Sequence, residues 1–243
     1  MEIIDALGES PITITPFKDD IYLRGMTHDQ IINRISDKTK LIGISNLFSF
    51  AFPAVKLLID EIKASFQNIP IVLGGPHPTH LCDYTLINTK SDYIIIGEGE
   101  VPLLNLLKYV NKEIPLQDVP SLAYLDKDGQ VTRNTAFPRI TNINSDNLPF
   151  PARHLVDVSR YEHIIGEGQQ FFTIQATRGC PAACTFCDIR QTKFRCRSPE
   201  SVVDEIEQLV SMGVDDLFFV DDTITINKKN LIDTCNLIIE RGI

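Results

Sequence analysis

Short apolar runs alternate with amphipathic segments along the first 110 residues, and this alternation restricts the fold more than any other feature. The apolar runs predict strands at 1–7, 41–45, 71–73 and 93–96. Isoleucine, leucine and valine at helical spacing predict helices between those strands, at about 27–35, 53–66 and 101–110. Strands that alternate with helices form a parallel sheet with right-handed crossovers. We therefore expect residues 1–110 to fold as a doubly wound α/β unit.

Three of the predicted strands are followed by loops of unusual composition. These loops read Ser45-Asn46-Leu47-Phe48, Gly74-Gly75-Pro76-His77-Pro78-Thr79 and Gly97-Glu98-Gly99-Glu100. Ligands of doubly wound sheets bind at the carboxyl ends of the strands, where glycine lets the backbone approach a large flat ligand closely. Each loop alone is also common in sheets without a ligand, so the predicted site depends on the three together.

The pattern changes after residue 111. Residues 122–133 predict a small hairpin with its turn at Asp126–Gly129. The stretch from Asn134 to about Tyr161 contains three prolines and has weak periodicity, which is typical of a linker between domains. We expect a first domain at 1–133, a linker at 134–170 and a second domain at 171–243.

The alternation of strands and helices resumes in the last part of the chain. Phe171–Ala176 and Leu217–Val220 are predicted strands. A helix is predicted between them, because Ser198 is a good N-cap and Gly213 a good terminator. A second helix is predicted at 228–241. This order of elements predicts the start of another α/β unit.

Three cysteines, Cys180, Cys184 and Cys187, stand in the spacing C-x3-C-x2-C directly after the predicted strand at 171–176. Thiolates are the usual ligands of iron–sulfur clusters, and three thiolates instead of four would leave one iron open for chemistry. One alternative is a zinc site, although such sites usually show a second cysteine pair or histidines. The other alternative is three core thiols without a ligand.

The remaining cysteines, Cys82, Cys196 and Cys235, are interpreted as small buried or surface thiols. Of these, Cys196 would be the fourth ligand if the loop bound zinc. The sequence shows no signal-peptide pattern and no long apolar run. We therefore expect a cytoplasmic protein with reduced thiols, which argues against a disulfide framework.

The chain has 243 residues and a formal net charge of −9. This acidic balance argues against nucleic acid and against an anionic membrane surface as partners. A local basic cluster surrounds the three cysteines and consists of Arg178, Arg190, Lys193, Arg195 and Arg197. The cluster is expected to serve an anionic ligand, to balance nearby acids or to form a solvated charged face.

The last third of the chain resembles the start of a radical S-adenosylmethionine (SAM) barrel, in Thr177–Cys187, Arg197–Val202 and Phe219–Asp222. The first part resembles the cobalamin-binding domain that precedes this barrel in one large branch, in residues 42–45, 72–79 and 96–100. Leu148–Arg153 resembles the linker of the same branch. The resemblance implies a flavodoxin-like or Rossmann-like α/β domain, followed by the first part of a partial TIM-type barrel.

In that family three thiolates hold a [4Fe-4S] cluster, and the fourth iron chelates SAM. One electron from the cluster cleaves SAM to methionine and a 5′-deoxyadenosyl radical. The cluster ligands implied by position are Cys180, Cys184 and Cys187. Phe186 would lie beside the adenine, and Asp221 and Asp222 would lie where an acceptor meets the methionine ammonium. The alternative for these two acids is an exposed pair on a loop.

The resemblance also implies a set of cobalamin contacts: Ser45, Asn46, Gly74, Gly75, Pro76, His77, Thr79, Gly97, Glu98 and Gly99. The sequence lacks the motif D-x-H-x-x-G, so no histidine is marked as a lower ligand of cobalt. His77 is expected to belong to the loop under the corrin. Barrels of this family have about six strand–helix units, and residues 171–243 supply two. We therefore expect a fragment, which also lacks the first strand–helix unit of the front domain and which has no turnover by itself.

The resemblance implies a cobalamin-dependent radical SAM enzyme that acts on a small molecule and takes electrons from a flavodoxin or ferredoxin. Methyl transfer to an unactivated carbon and oxidative cyclisation or rearrangement are both expected styles of reaction. One alternative is a non-catalytic fragment that binds a metal or cofactor. Another is a radical SAM enzyme whose front domain does not bind cobalamin.

Overall fold

The chain divides into two units, and the computed structural model describes residues 1–137, 139–144, 147–161 and 171–243 of it. One unit, which we call the front unit, comprises Ser10–Arg139. The other, the cysteine unit, combines Met1–Glu9 with Ile140–Ile243. The linker expected at 134–170 falls partly on residues 138, 145, 146 and 162–170, which lie outside the described residues. Its boundaries therefore stay predictions.

The front unit contains a five-stranded sheet within the described residues. In spatial order its strands are β3 (Ile42–Ser45), β4 (Ile71–Gly74), β5 (Tyr93–Ile95), β6 (Leu122–Leu125) and β7 (Val131–Arg133). The first three strands are parallel, and the hairpin β6–β7 continues the sheet in antiparallel pairing. The parallel strands and the hairpin were predicted from the sequence and are confirmed.

One helix of the front unit precedes β3 in the chain, and the others lie between the strands of this sheet. The helices are α1 (His28–Ile32), α2 (Phe52–Ser65), α3 (Pro76–His80), α4 (Cys82–Asn88) and α5 (Glu100–Val110). Thr27 caps α1 in a capping box with Gln30, and Pro53 occupies the first turn of α2. The cap at Thr27 and the proline at Pro53 explain where these two helices begin.

Neighbouring residues of one strand bury opposite faces of this sheet. Leu73 and Ile94 pack with Ile59 of α2 and Leu86 of α4 in one apolar cluster. Val72, next to Leu73 in β4, belongs to a second cluster that includes Leu106 of α5 and Leu122 of β6. Helices therefore cover both faces of the sheet, which confirms the doubly wound expectation.

The strand predicted at 1–7 is wrong. Local hydrogen bonds fold this segment into a turn around Asp5, whose side chain accepts from Gly8 N at 3.1 Å. Asp5 N also donates to the Glu9 carboxylate at 3.1 Å. A carboxylate that satisfies nearby backbone amides competes with strand formation, and this competition outweighs the apolar run.

A two-stranded hairpin that the sequence analysis missed precedes α1. It joins β1 (Ile14–Lys18) and β2 (Ile21–Arg24) in antiparallel pairing. The chain reverses at Asp19, whose φ of 51° lies in the left-handed region. Asp-Asp between two alternating runs was the available signal, because aspartate tolerates that conformation and favours turns.

The cysteine unit is built around two parallel strands, β8 (Phe171–Ile174) and β11 (Asp216–Phe219). Between them in sequence come the short antiparallel pair β9 (Thr177–Arg178) and β10 (Arg195–Cys196), and helix α6 (Pro199–Ser211). Helix α7 (Lys228–Arg241) follows and ends at Gly242, which adopts a φ of 69°. Short 3-10 turns of this unit lie at Arg153–Leu155, Val158–Arg160 and Ile224–Ile226, and those of the front unit lie at Ser49–Ala51 and Leu116–Asp118.

The apolar core of the cysteine unit lies between β8 and the first of its helices. Ile174 packs with Val202 and Ile206 of α6, and Leu217 of β11 and Ile238 of α7 lie against this cluster. Ser198 caps α6 by accepting from Ser201 N, as its sequence predicted. None of the helices in the described part of the chain is long and apolar enough to cross a membrane.

Candidate functional site

The three cysteines lie on one loop that leaves the end of β8 and is closed at its base by the pair β9–β10. Thr177 pairs with Cys196 and Arg178 with Arg195 across this base. Cys184 is exposed, and Cys180 and Cys187 are half-buried. The loop thus presents three reduced thiols within eight residues, none of them enclosed in the core.

Hydrogen bonds hold the cysteine loop in shape without a ligand. Cys180 N donates to Thr192 Oγ1 at 2.8 Å, and Thr192 N donates back to Cys180 O at 2.9 Å. Gln191 N donates to Ala182 O at 2.9 Å. Gly179 makes the entry possible: its φ is 85°, and a Cβ there would collide with Lys193 O.

The donor set of this loop suits an iron–sulfur cluster. Thiolates are the ligands that such clusters take, and the three thiols can turn about their side-chain bonds toward one side of the loop. Among the described residues, no three Cys, His, Asp or Glu side chains are already gathered at metal-binding positions. The backbone of the loop is held by its own hydrogen bonds, and the role of the three thiols as cluster ligands stays a prediction.

Two basic residues near the cysteines donate hydrogen bonds to backbone carbonyls. Arg190 donates to Thr185 O at 2.5 Å, inside the loop. Arg195 is buried and donates to Ile140 O at 2.7 Å. A solvated charged face, one of the alternatives read from the sequence, is therefore wrong for buried Arg195.

A buried ion cluster lies beside the strand that delivers the cysteine loop. Glu205 of α6 forms an ion pair with Arg153, whose Nη1 lies 2.6 Å from one carboxylate oxygen, and pairs with Arg197 through its other oxygen. Arg153 also donates to Thr173 O, and Arg197 to Gln175 O, both at 3.0 Å. Two carbonyls at the end of β8 are thus held by two arginines that share one carboxylate.

The predicted SAM contacts lie in different surroundings. Phe186 is 92% exposed, on the same loop as the cysteines. Asp222 is exposed and accepts from Gly179 N at 3.1 Å. Asp221 is half-buried, and both of its carboxylate oxygens accept hydrogen bonds from residues just before Gly179. The roles of these three residues toward SAM stay predictions.

The three predicted cobalamin loops meet at the carboxyl edge of the front sheet. Ser45 and Gly74 are register partners at the ends of β3 and β4. Asn46 N donates to Gly74 O at 2.8 Å, and Gly97 N donates to Thr79 Oγ1 at 3.0 Å. Hydrogen bonds therefore connect all three loops, as required if they share one ligand.

Gly75 is the tightest point of this arrangement. Its φ is 107°, and a Cβ would lie 2.7 Å from Asn46 O. Only glycine adopts this conformation and approach without strain. Pro76 and His77 follow in the short helix α3, so the bend at Gly75 sets the position of His77.

His77 and Asn46 are buried polar side chains in these loops, 4% and 2% exposed. His77 Nδ1 lies 2.9 Å from Ser49 Oγ, and its ring stacks on Phe52 at a centroid distance of 4.5 Å. Burial lowers the pKa of His77 below the ordinary value of 6.5, which favours the neutral ring.

Some atoms of these two side chains lack hydrogen-bond partners within the described residues. They are His77 Nε2 and both amide atoms of Asn46. Each such buried group costs about 1–3 kcal/mol when it is unsatisfied. Groups of this kind need a reason, and a polar ligand at this edge is a fitting one.

A cleft of about 740 Å³ opens beside the same edge within the front unit. The predicted residues Thr79, Gly97 and Glu98 line one part of it. Another part is lined by Arg133, the last residue of β7, and by Arg139, which follows the hairpin. Neither residue was predicted from the sequence. The antiparallel return of β7 brings them here, a placement that local sequence patterns do not encode.

Comparison with known proteins supplies the family. Residues 17–107 match the model of the B12 binding domain, and residues 174–243 match that of the radical SAM superfamily. The two matches fall on the front unit and on the cysteine unit respectively. They confirm the order of domains that the motifs implied.

Two curated relatives cover nearly all of this chain. The cytidylyl-2-hydroxyethylphosphonate methyltransferase of Streptomyces wedmorensis is 27% identical over 93% of the chain and 48% of its own length. The anaerobic magnesium-protoporphyrin IX monomethyl ester cyclase of Rubrivivax gelatinosus is 31% identical over 93% of the chain and 42% of its own length. The chain thus spans less than half the length of either relative.

A solved structure shows the same fold. The cobalamin-dependent SAM radical enzyme OxsB, with aqua-cobalamin and SAM bound, matches 88% of this chain and 31% of its own. Its TM-score is 0.72 at 22% sequence identity. Together with the two domain matches, this confirms the expected fold, and the chain belongs to the radical SAM superfamily, in the branch that carries a B12 binding domain before the radical SAM region.

Proposed function

We propose that this chain is the cofactor-binding part of a cobalamin-dependent radical SAM enzyme. The observation that carries the proposal is the cysteine loop, in which Cys180, Cys184 and Cys187 stand on a preformed backbone at the end of β8. The thiols hold the cluster in this proposal, and the backbone hydrogen bonds keep them on one loop. When bound, a [4Fe-4S] cluster supplies the electron that cleaves SAM to a 5′-deoxyadenosyl radical.

Three further residues are assigned to SAM in this proposal. Exposed Phe186 offers a ring for stacking on the adenine. Asp222 is exposed at the end of β11 and uses one carboxylate oxygen on Gly179 N. A carboxylate has about four acceptor sites, so Asp222 retains capacity for the methionine ammonium. Asp221 is the weaker candidate, because the cysteine unit already uses both of its oxygens.

The front unit binds cobalamin in this proposal. Gly75 lets its loop pack closely against the backbone of Asn46, which fixes both loops at the proposed corrin site, and Asn46 supplies polar side-chain atoms that lack protein partners within the described residues. His77 packs against Phe52 and its Nδ1 lies 2.9 Å from Ser49 Oγ, so the proposal assigns it to support of the loop and not to cobalt. The other proposed contacts are Ser45, Gly74, Pro76, Thr79, Gly97, Glu98 and Gly99. Bound cobalamin supplies a methyl group or redox chemistry to the substrate.

The proposed reaction is methyl transfer to an unactivated carbon or oxidative cyclisation of a small molecule. The names of the two curated relatives favour these outcomes equally, one a methyltransferase and the other a cyclase. An electron donor such as a flavodoxin or ferredoxin and a cytoplasmic location complete the proposal, since reduced thiols and low-potential electrons are both needed. A non-catalytic protein that binds a metal or cofactor, the alternative that the sequence left open, is the second candidate.

The test is anaerobic reconstitution of the 243-residue chain with iron and sulfide. We expect about four irons per chain and a thiolate–iron absorption band. Cys184→Ala should abolish the band, while Cys235→Ala, a matched change of another exposed thiol, should leave it intact. Zinc binding without an iron chromophore would refute the proposal.

Two additions to the same sample separate the remaining alternatives. Hydroxocobalamin should bind and change its absorption spectrum, whereas an unchanged spectrum would leave a radical SAM protein without cobalamin. SAM with dithionite should then be tested for release of 5′-deoxyadenosine. Binding of both cofactors with no cleavage of SAM would favour the second candidate, a non-catalytic protein that binds a metal or cofactor.

A further inference from the structure

Three consecutive residues after β11 contact the chain where it enters the cysteine loop. Asp221 contacts Ala176 and Thr177, and Asp222 contacts Gly179 N at 3.1 Å. Thr223 Oγ1 then lies 3.6 Å from the Sγ of Cys180, the first cysteine. The order of contacts follows the order of residues along both segments.

Asp221 makes the most contacts of the three. Its Oδ1 accepts from both the backbone N and the Oγ1 of Thr177, the latter at 2.5 Å, and its Oδ2 accepts from Ala176 N at 3.3 Å. Thr177 is 2% exposed, so these bonds are shielded from water. Hydrogen bonds to a charged acceptor contribute about 1.5–3 kcal/mol each.

The carboxylate is needed because the strand ladder ends here. The parallel register of β8 and β11 runs to Ile174 opposite Phe219, followed by one more bond, from Val220 N to Ile174 O at 3.0 Å. Beyond this bond the chain that formed β8 separates from β11 and continues into β9. The amides of Ala176 and Thr177 would then lose their strand partners, and a buried amide without a partner is costly. The carboxylate of Asp221 accepts the hydrogen bonds that a neighbouring strand would otherwise accept.

We propose that Asp221 is a positioning residue that fixes the backbone path into the cysteine loop, and that Asp222 and Thr223 extend this support to Gly179 and Cys180. The inference rests on the proposed function, since the purpose of the fixed path is to present the thiols to a cluster. It gives Asp221 a different role from the SAM contact implied by the resemblance. In this inference Asp221 acts on the cluster through the loop, and this role replaces the weaker assignment of Asp221 to SAM under the proposed function.

The first measurement uses the cluster-free chain and follows amide hydrogen exchange in residues 175–180. Asp221→Asn places a donor amide against backbone donors, and Thr177→Val removes the hydroxyl at nearly constant volume. Each should speed exchange at Thr177 at least about tenfold, with no change in α6 and α7. Thr177→Ser keeps the hydroxyl and should restore slow exchange. Asp233→Asn, which removes an exposed carboxylate of α7, should have no effect.

The second measurement uses the reconstituted, reduced chain and records the electron paramagnetic resonance spectrum of the cluster without SAM. Asp221→Asn and Thr177→Val should change the line shape, and Thr177→Ser should restore it. A merely structural role would change stability but not this signature. If Asp221→Asn fails to fold, the Thr177 pair still decides.

Each outcome supports or overturns the inference. Unchanged exchange and unchanged SAM-free spectra, with loss of SAM binding alone, would make Asp221 a SAM contact and overturn it. Unchanged behaviour in every assay would overturn it as well. If the wild-type chain takes up no cluster, the proposed function fails, but the exchange measurement still tests the support that Asp221 gives to the loop.

Discussion

The front unit and the cysteine unit hold their ligand loops in place by different means. In the front unit, apolar side chains bury both faces of a five-stranded sheet, and the loops extend from the ends of its parallel strands. In the cysteine unit, a pair of strands is supported by charged side chains that bind backbone groups directly. The comparison teaches that loops can be fixed in two ways, by the ladder of an apolar sheet or by carboxylates and guanidinium groups that bind the backbone at the end of a strand.

The buried ion cluster is the largest of these polar supports. The side chains of Arg153, Arg197 and Glu205 are 9%, 8% and 3% exposed. The guanidinium of Arg153 lies over Phe172 at 5.6 Å, and that of Arg197 over Phe150 at 5.4 Å. Aromatic faces attract cations in this geometry, so the cluster of two positive charges and one negative charge is further stabilised.

The largest effect is therefore expected from Glu205→Gln. The change leaves two buried guanidinium groups without a counter-charge, which should lower the free energy of unfolding by about 3–5 kcal/mol. Urea unfolding, followed by a signal from the cysteine unit, measures this loss. Glu207→Gln on the same helix removes an exposed partner of Arg241 and should cost no more than about 1 kcal/mol. Equal effects of the two changes would contradict the role assigned to the buried cluster.

The sequence predicted most of what local patterns encode. The parallel strands of the front unit, the hairpin at 122–133 and helix α7 were placed within one or two residues of their observed ends. The three loops that follow the parallel strands were expected at one edge because parallel strands end on the same side, and the register of Ser45 with Gly74 confirms this for two of them. Periodicity and glycine placement are local properties, so a single sequence reveals them.

Long-range hydrogen bonds could not be predicted in the same way. The pairing of Asp221 with Thr177 joins residues 44 positions apart, and that of Arg195 with Ile140 joins residues 55 apart. Nothing in the sequence near Asp221 distinguishes an acceptor for backbone amides from an acceptor for a ligand. The turn at Asp5 escapes prediction for a different reason. The apolar run at 1–7 indicates a strand, whereas the turn depends on two side-chain hydrogen bonds, from Gly8 N to Asp5 and from Asp5 N to Glu9.

A smaller but more specific effect is expected from Gly75→Val in the front unit. The side chain would collide with Asn46 O and strain a backbone with a φ of 107°. Cobalamin binding should be lost, as measured by titration of hydroxocobalamin in absorption. Gly129→Ala imposes similar backbone strain, at a φ of 74°, in open space on the hairpin turn, and it should leave binding unchanged.

Gly75→Ala is the milder variant if valine unfolds the unit. It should weaken binding while thermal unfolding shows a folded protein. Unchanged affinity in both Gly75 variants would contradict the assignment of these loops to cobalamin. It would leave the comparison between the two units intact, because that comparison depends on packing and not on the ligand.

The smallest effect concerns the single buried histidine of the front loops. Burial lowers the pKa of His77 in the folded protein below 6.5, so the unfolded chain binds its proton more readily. Stability should therefore be full above pH 6.5 and decline as the pH falls below it, by at most about 1.4 kcal/mol per pH unit for one proton. His77→Gln removes this titration, so the difference in unfolding free energy between wild type and variant should shrink from pH 7.5 to pH 5.5. Contributions that the wild type and the variant share cancel in this difference, and a constant difference would show that the Ser49 and Phe52 contacts of His77 tolerate the charged ring.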